Sequence, residues 1–433
     1  MLFLKAFMCL FLLLADPSAS ANDLLSIYNQ AYLADPELQA ATLKIEVGSA
    51  QTGQSLGRLL PQISGVANVS ENKLSQQTVN TSYTGTRYYV SLTQSLIDYS
   101  KYLDWQRSKE VEDQLMLELD EARHTLIFKV VERYFGALDA EDQLQMITAE
   151  KELTANELIQ IKHQFEKQLV NITDVYEMEA RLDQLIADEV EADSNLLVAK
   201  QELQELTGMQ PGTLAKLRDN LEYKELEGKL DDWLTIAKSE NPLLKAKHIA
   251  IAAADDNVTS QKAKHLPVVD LQLNYYNTNT GYQNTQTSQY QVQTAAINVT
   301  VPIFSGGITS NQVSEAQSKL KLSKEELEAA ERGLSKEASE AFTQSNAKTR
   351  RIKASLKALS SANKSMEAMQ IGLQQGTESM GDLLRAQQLE FKAKRELAKI
   401  RYEYLVTRMR FLKAIGTISE QNLEEINNWL VKP

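Results

Sequence analysis

Two spacings of apolar residues alternate along this chain. From Tyr99 to Lys167 there is no proline and a single glycine, and Leu115, Leu119, Ala122, Leu126, Val130, Tyr134 and Ala137 recur at helical spacing. From Ile308 to Ile371 the pattern returns, with Ala316, Leu320, Leu327, Ala330, Leu334, Ala338 and Ala341, again without proline and with one glycine. At 1.5 Å per residue each stretch predicts a helix roughly 100 Å long. Globular helices average about 11–12 residues, so these helices are expected to bury narrow stripes against neighbours in the manner of coiled coils. The other spacing is two. Val269, Leu271, Leu273 and Tyr275 interleave with Asp270, Gln272 and Asn274; Ile297, Val299, Val301 and Ile303 interleave with Asn298, Thr300 and Pro302. A noisier copy sets Val90 and Leu92 against Ser91, Thr93 and Ser95. Each segment runs for about ten residues, the length of a tilted strand crossing a bilayer. A hairpin with one face packed on a soluble core alternates in the same way, so this pattern alone leaves both readings open.

The two spacings come in the same order twice. Asp35-Pro36 precedes Leu60-Pro61, and Asn241-Pro242 precedes Leu266-Pro267, an offset of 206 residues. VSLTQSLIDYS (90–100) lies over INVTVPIFSGG (297–307) at 207, and Asp174-Val175 over Asp382-Leu383 at 208. A near-constant offset predicts a duplication: a first repeat over 22–208, an inter-repeat segment over 209–229, a second repeat over 230–416 and a C-terminal segment over 417–433. Each repeat reads as a short helix (about 22–34 and 230–240), a second helix, two strands and a very long helical hairpin. Four strands per chain do not close a barrel, since small closed barrels begin at about eight. Their edges must pair with other chains, which predicts an oligomer without giving its number.

Composition narrows the setting. Lys5, the apolar run AFMCLFLLLA (6–15), Asp16-Pro17 and Ala19-Ser20-Ala21 read as a signal peptide over 1–21. Cys9, the only cysteine, would leave with it, and export without disulfides suits a bacterial periplasm or outer membrane. A formal net charge of −12 without basic clusters argues against nucleic acid. No later apolar run reaches 18 residues, so entry into a membrane requires a barrel. His124, His163, His248 and His265 fall at spacings that suit no metal site, and no thiol, phosphate loop or serine elbow is present, which argues against an enzyme. Tyr88, Tyr89, Tyr99, Tyr102, Trp105, Tyr275, Tyr276 and Tyr290 sit at strand ends, where interfacial girdles or ordinary packing would place them.

The passages SLTQSLIDYSKY (91–102), QLVNITDVYEMEARLD (168–183) and YLVTRMRFLKAIGTISEQNLEEINNWLVKP (404–433), with the tandem organisation, resemble the TolC family of outer-membrane efflux and type I secretion channels. The resemblance covers the whole mature chain. It implies a mixed α+β membrane protein, a homotrimer whose four strands per chain form one 12-stranded outer-membrane β-barrel, continued by a long α-helical coiled-coil tunnel through the periplasm. It implies a passive exit duct for drugs or secreted proteins, set in outer-membrane lipid. Its partners would be a periplasmic adaptor (membrane fusion) protein and an inner-membrane pump of the RND, ABC or MFS type, with no cofactor. A secreted or surface coiled-coil adhesin is the alternative; it accounts for the long helices and not for hairpins of membrane length.

By the same resemblance, GTESMGDLLRAQ (376–387) and QLVNITDVYEM (168–178) are two hairpin tips at the periplasmic entrance. The family's second tip carries two aspartates three residues apart at the pore constriction. Asp382 matches the first, and Arg385 replaces the second. The positions of the gate-holding tyrosine and arginine are Leu373 and Glu378 here, while their first-tip partners are kept as Thr173 and Asp174. Of the adaptor-contacting tips, Leu169, Gly376 and Thr377 remain, and Lys167, Gln168 and Gln375 differ. Asp382 reads also as a carboxylate favoured at a helix N-terminus, and Asp174 as a structural cap or a gate partner.

Overall fold

The computed structural model describes residues 22–76 and 79–431, so the expected signal peptide over 1–21 lies outside the described residues. The chain runs α1 (Leu24–Ala34), α2 (Pro36–Gly57), β1 (Gln62–Gln76), β2 (Val79–Ile97), α3 (Tyr99–Glu166) and α4 (Ile172–Thr207). It continues through α5 (Leu230–Glu240), α6 (Pro242–Ala263), β3 (Val268–Thr280), β4 (Gln286–Thr300), α7 (Ile308–Gln374), α8 (Met380–Ala414) and α9 (Glu420–Asn427). Helix lengths match pairwise: 11 and 11 residues for α1 and α5, 22 and 22 for α2 and α6, 68 and 67 for α3 and α7, 36 and 35 for α4 and α8.

Local chemistry sets the helix starts. Asp35 and Asn241 each stand before a proline at the first helical position, and their side chains accept from Leu38 N (2.7 Å) and Leu243 N (3.0 Å). Asp98 caps α3 by accepting from Lys101 N at 3.1 Å, so the chain passes from strand to a 68-residue helix within one residue.

The four strands form one antiparallel sheet in the order β1-β2-β3-β4, leaving β1 and β4 as its edges. At 13 to 19 residues they exceed the expected ten. β4 also ends at Thr300, before the expected Val301 and Ile303. Pro302 has no N–H to extend the ladder, and among the described residues no strand lies beyond β4 to receive it. The helices beneath follow the sheet: α2 packs on α3, α3 on α6 and α6 on α7. Farther down, α3 pairs with α4, α7 with α8, and α3 with α8.

The main core lies at mid-height, where Leu24, Ile27, Val130, Phe135, Leu203 and Leu423 bring α1, α3, α4 and α9 together. Tyr134 is fully buried there, and its hydroxyl proton is shared between the carbonyls of Ala215 (2.9 Å) and Asn22 (3.1 Å), fastening the 209–229 segment to Asn22. The C-terminal segment closes the same belt, with Val431 N–H donating to Lys216 O at 2.7 Å. At the end of α8, Gly416 has φ +75°, and a Cβ there would stand 2.5 Å from Asn241 Cα. Only glycine permits that approach of two backbones.

Candidate functional site

The sheet presents two unlike faces. Across the strands, Ile63, Leu92, Leu273 and Ala295 stand in one row on one face, and Ser64, Ser91, Asn274 and Thr294 in the next row on the other. Val69, Tyr88, Val90, Tyr275, Ile297 and Val299 extend the apolar face, and all six are exposed. Arg87, Gln272, Asn298 and Thr278 extend the polar one, on which Asp270 accepts from Ser95 Oγ at 2.9 Å. Alternation of this kind is what lipid on one side and water on the other require; one row on the polar face, Val66, Tyr89, Tyr276 and Val292, departs from it. Tyr88 and Tyr275 lie on the apolar face, as a girdle needs. Tyr89, Tyr276 and Tyr290 lie on the polar face, and the first two stack on each other with centroids 5.2 Å apart. Parity along the strand decides this, because neighbouring residues point to opposite sides.

At the far end of the molecule the two hairpin tips close by one geometry. In the first, Gln168 takes φ +60°, with Leu169 N–H donating to Gln164 O (3.0 Å) and Gln168 N–H to Phe165 O (2.8 Å). In the second, Gly376 takes φ +76°, with Thr377 N–H donating to Gly372 O (2.9 Å) and Gly376 N–H to Leu373 O (3.1 Å). A single left-handed residue thus satisfies the last carbonyls of each long helix. The next helices open alike. Asn171 N–H donates to Asp174 Oδ2 at 3.2 Å, and Ser379 N–H to Asp382 Oδ2 at 3.4 Å. Asn171 and Ser379 are thus the N-terminal caps, and Asp174 and Asp382 are the third helical residues that complete their capping boxes.

Asp382 also accepts from Arg385 Nη2 at 2.7 Å one turn on. Its carboxyl is held below the usual range, first by the Ser379 hydroxyl at 2.5 Å and then by Arg385, while Asp382 raises the Arg385 guanidinium. Arg385 is exposed. The other tip residues spread out. Leu373 packs onto a core shared by both tips, with Leu158, Ile161, Met178 and Leu383. Glu378 is exposed and lies over Gly372, where a Cβ would meet its Cγ at 2.5 Å. Among the described residues, no hydrogen bond or ion pair joins Thr173 or Asp174 to Leu373 or Glu378. Leu169, Gly376 and Thr377 are exposed, and nothing lies within 4 Å of a Cβ added at Gly376.

One feature has no sign in the sequence pattern. Where α3 meets α8, carboxylates stand on α3 and donors on α8: Glu132 with Arg410 (3.3 Å), Asp142 with Tyr402 (2.6 Å), Glu150 with Arg395 (2.7 Å) and Glu157 with Gln387 (2.6 Å). Glu150 is the most enclosed, 3% exposed, and also accepts from Arg181 of α4. A single carboxylate thereby ties three helices together. Burial raises the Glu157 carboxyl, against the Gln387 bond that lowers it. Among the described residues no group of His, Cys, Asp and Glu is placed to hold a metal ion.

The family model of the outer membrane efflux proteins matches residues 27–209 and again 233–417. Outer membrane protein TolC of Escherichia coli (strain K12) is 30% identical over 428 residues, covering 96% of this chain and 86% of its own. The alkaline protease secretion protein AprF of Pseudomonas aeruginosa is 29% identical, covering 96% and 88%. In fold, the chain matches the CmeC outer membrane channel of Campylobacter jejuni with a TM-score of 0.81 at 17% identity, over 94% of this chain and 90% of that one. With most of its length matched by the family model in two stretches, the chain belongs to the outer membrane efflux protein family, and its place is the outer membrane.

Proposed function

We propose that the chain is one third of a passive exit duct for drugs or secreted proteins. In this reading three copies close a single 12-stranded barrel, four strands from each, and their long helices continue as a coiled-coil tunnel through the periplasm. The observation that carries it is the bare sheet. An apolar face and two unpaired edges in one small sheet would aggregate in water. Lipid on the face and a further copy at each edge relieve both. Matching helix lengths support a tandem duplication with repeats over 22–208 and 230–416, joined by 209–229 and followed by 417–433. The lower ends of the hairpins then form the periplasmic entrance. Asp382 and Arg385 surround its constriction. Thr173 and Asp174 act as gate partners of Leu373 and Glu378 on a neighbouring hairpin. Leu169, Gly376 and Thr377 face a periplasmic adaptor, and an inner-membrane pump of RND, ABC or MFS type supplies the energy. Native mass measurement in detergent tests the assembly and is expected to give three copies. A water-soluble monomer with intact helices would overturn it.

A further inference from the structure

Pairing inside the chain specifies pairing between copies; this step rests on the ring assembly proposed above. The hairpin β1–β2 pairs Gln62 with Thr93 and Val66 with Tyr89. The hairpin β3–β4 pairs Val268 with Thr300 and Gln272 with Ala296. Pro61 and Pro267 stand directly before the two hairpins, which sets Gln62 on Val268 and Val66 on Gln272. The likeness of 90–100 to 297–307 sets Thr93 on Thr300 and Tyr89 on Ala296. Both correspondences reproduce the observed partners residue for residue. The two hairpins are therefore equivalent in register as well as in order.

The seam joining them inside the chain is β2–β3, where Val90 faces Tyr275, Ser91 faces Asn274 and Leu92 faces Leu273. β4 is the equivalent of β2, and β1 the equivalent of β3. We propose that β4 of one copy meets β1 of the next in this same register, setting Ile297 opposite Val69, Asn298 opposite Asn68 and Val299 opposite Ala67.

Three features of the lone chain agree. Ile297, Val299, Ala67 and Val69 already share the apolar face, and Asn298 and Asn68 the polar one; a slip of one residue would turn one strand inside out against the other. The shift in the β2–β3 ladder between Ser95 and Ile97 carries over as well. It brings Phe304 opposite Ile63, two large apolar residues that are 88% and 70% exposed in the single chain. Pro302 takes the place of Ser95 beside that shift, where a strand tolerates a residue without an N–H. Below the sheet, α7 and α2 are the free ends of the helix layer. Inside the chain the corresponding helices are held by Ser260 Oγ donating to Asp104 (2.7 Å) and Arg107 Nη1 donating to Asn257 (2.7 Å). Leu119 and Leu126 of α3 correspond to Leu327 and Leu334 of α7. The same correspondence sets Gln312 and Glu315 against Gln54 and Gln51 of the next copy, an uncharged or singly charged polar contact in place of the internal pairs.

Disulfide trapping tests the register, because residues 22–433 hold no cysteine. The double variant Asn298→Cys/Asn68→Cys, oxidised in detergent, is expected to give reductant-sensitive covalent dimers and trimers. Ser64 and Asn72 lie on the same face four residues away, roughly 13 Å along the strand and beyond disulfide reach. Asn298→Cys paired with Ser64→Cys or Asn72→Cys is expected to cross-link at least about tenfold more slowly. Native mass of each unoxidised variant shows that it has assembled. Faster cross-linking through Ser64 or Asn72, or none through Asn68 in variants that assemble, overturns the register and leaves the ring standing. A monomeric parent protein overturns the ring itself.

Discussion

Replacing Glu150 by glutamine keeps the side chain's shape and removes the charge that two arginines share. Arg181 and Arg395 are 18% and 22% exposed at the side chain, so most of each is shielded from water, and both reach the single carboxylate from different helices. Removing one member of a buried ion pair costs about 3–5 kcal/mol. The partial exposure of both arginines and the carbonyl that glutamine retains favour the lower end, about 3 kcal/mol. Hydrogen exchange reads this locally. Backbone amides of α3 around Glu150 and of α8 around Arg395 are expected to lose protection by about a hundredfold, since each 1.36 kcal/mol is a factor of ten. The triple replacement Glu150→Leu, Arg181→Met, Arg395→Leu removes charge and desolvation together and is expected to return most of the protection. Protection within about threefold of the parent in Glu150→Gln, or a triple variant as labile as the single one, would refute the claim that this carboxylate holds the three helices.

At the entrance, Arg385→Asp is expected to raise cation selectivity and trivalent-cation block in planar bilayers, and Asp382→Asn to leave a ring that disfavours cations; no change in either excludes both residues from the constriction. Gly376 has open space and φ +76°, so Gly376→Asn is expected to retain export while Gly376→Val loses it, with assembly intact in both; equal failure would point to a contact surface instead of the backbone. The Glu157 carboxyl is raised by burial, so the folded protein holds its proton more tightly than the unfolded chain does. Its contribution is therefore fully present below the ordinary glutamate range and is lost as pH rises through the raised value. Glu157→Gln, which keeps an acceptor for Gln387, is expected to raise the thermal midpoint at pH 7.5 and to leave it unchanged near pH 4; a gain of equal size at both values would refute the ionisation argument.

Local order carried much of the architecture in the sequence. An unbroken helical stripe such as Leu119, Leu126 and Val130 needs no distant partner to be read, and Asp35-Pro36 or Asp98 announces a helix start by the bonds its own side chain makes. The same holds for the tips. Asp174 and Asp382 complete capping boxes with Asn171 and Ser379 three positions earlier, and Asp382 meets Arg385 within one turn. Resemblance placed those tips in a channel, and the geometry added that each turns on one left-handed residue, glutamine in one and glycine in the other. Tertiary structure decided what depends on partners far along the chain. Register put Tyr88 and Tyr275 on one face of the sheet and Tyr89 and Tyr276 on the other, matching two segments that lie far apart in sequence. β4 ends at Thr300, opposite Val268 where its partner β3 begins, an end that alternation over Val301 and Ile303 does not reveal. Glu150 reads in the sequence as one acid among many on a charged helix. Only the approach of Arg181 and of Arg395, 245 residues away, makes it buried, because desolvation belongs to the packed arrangement and not to the residue.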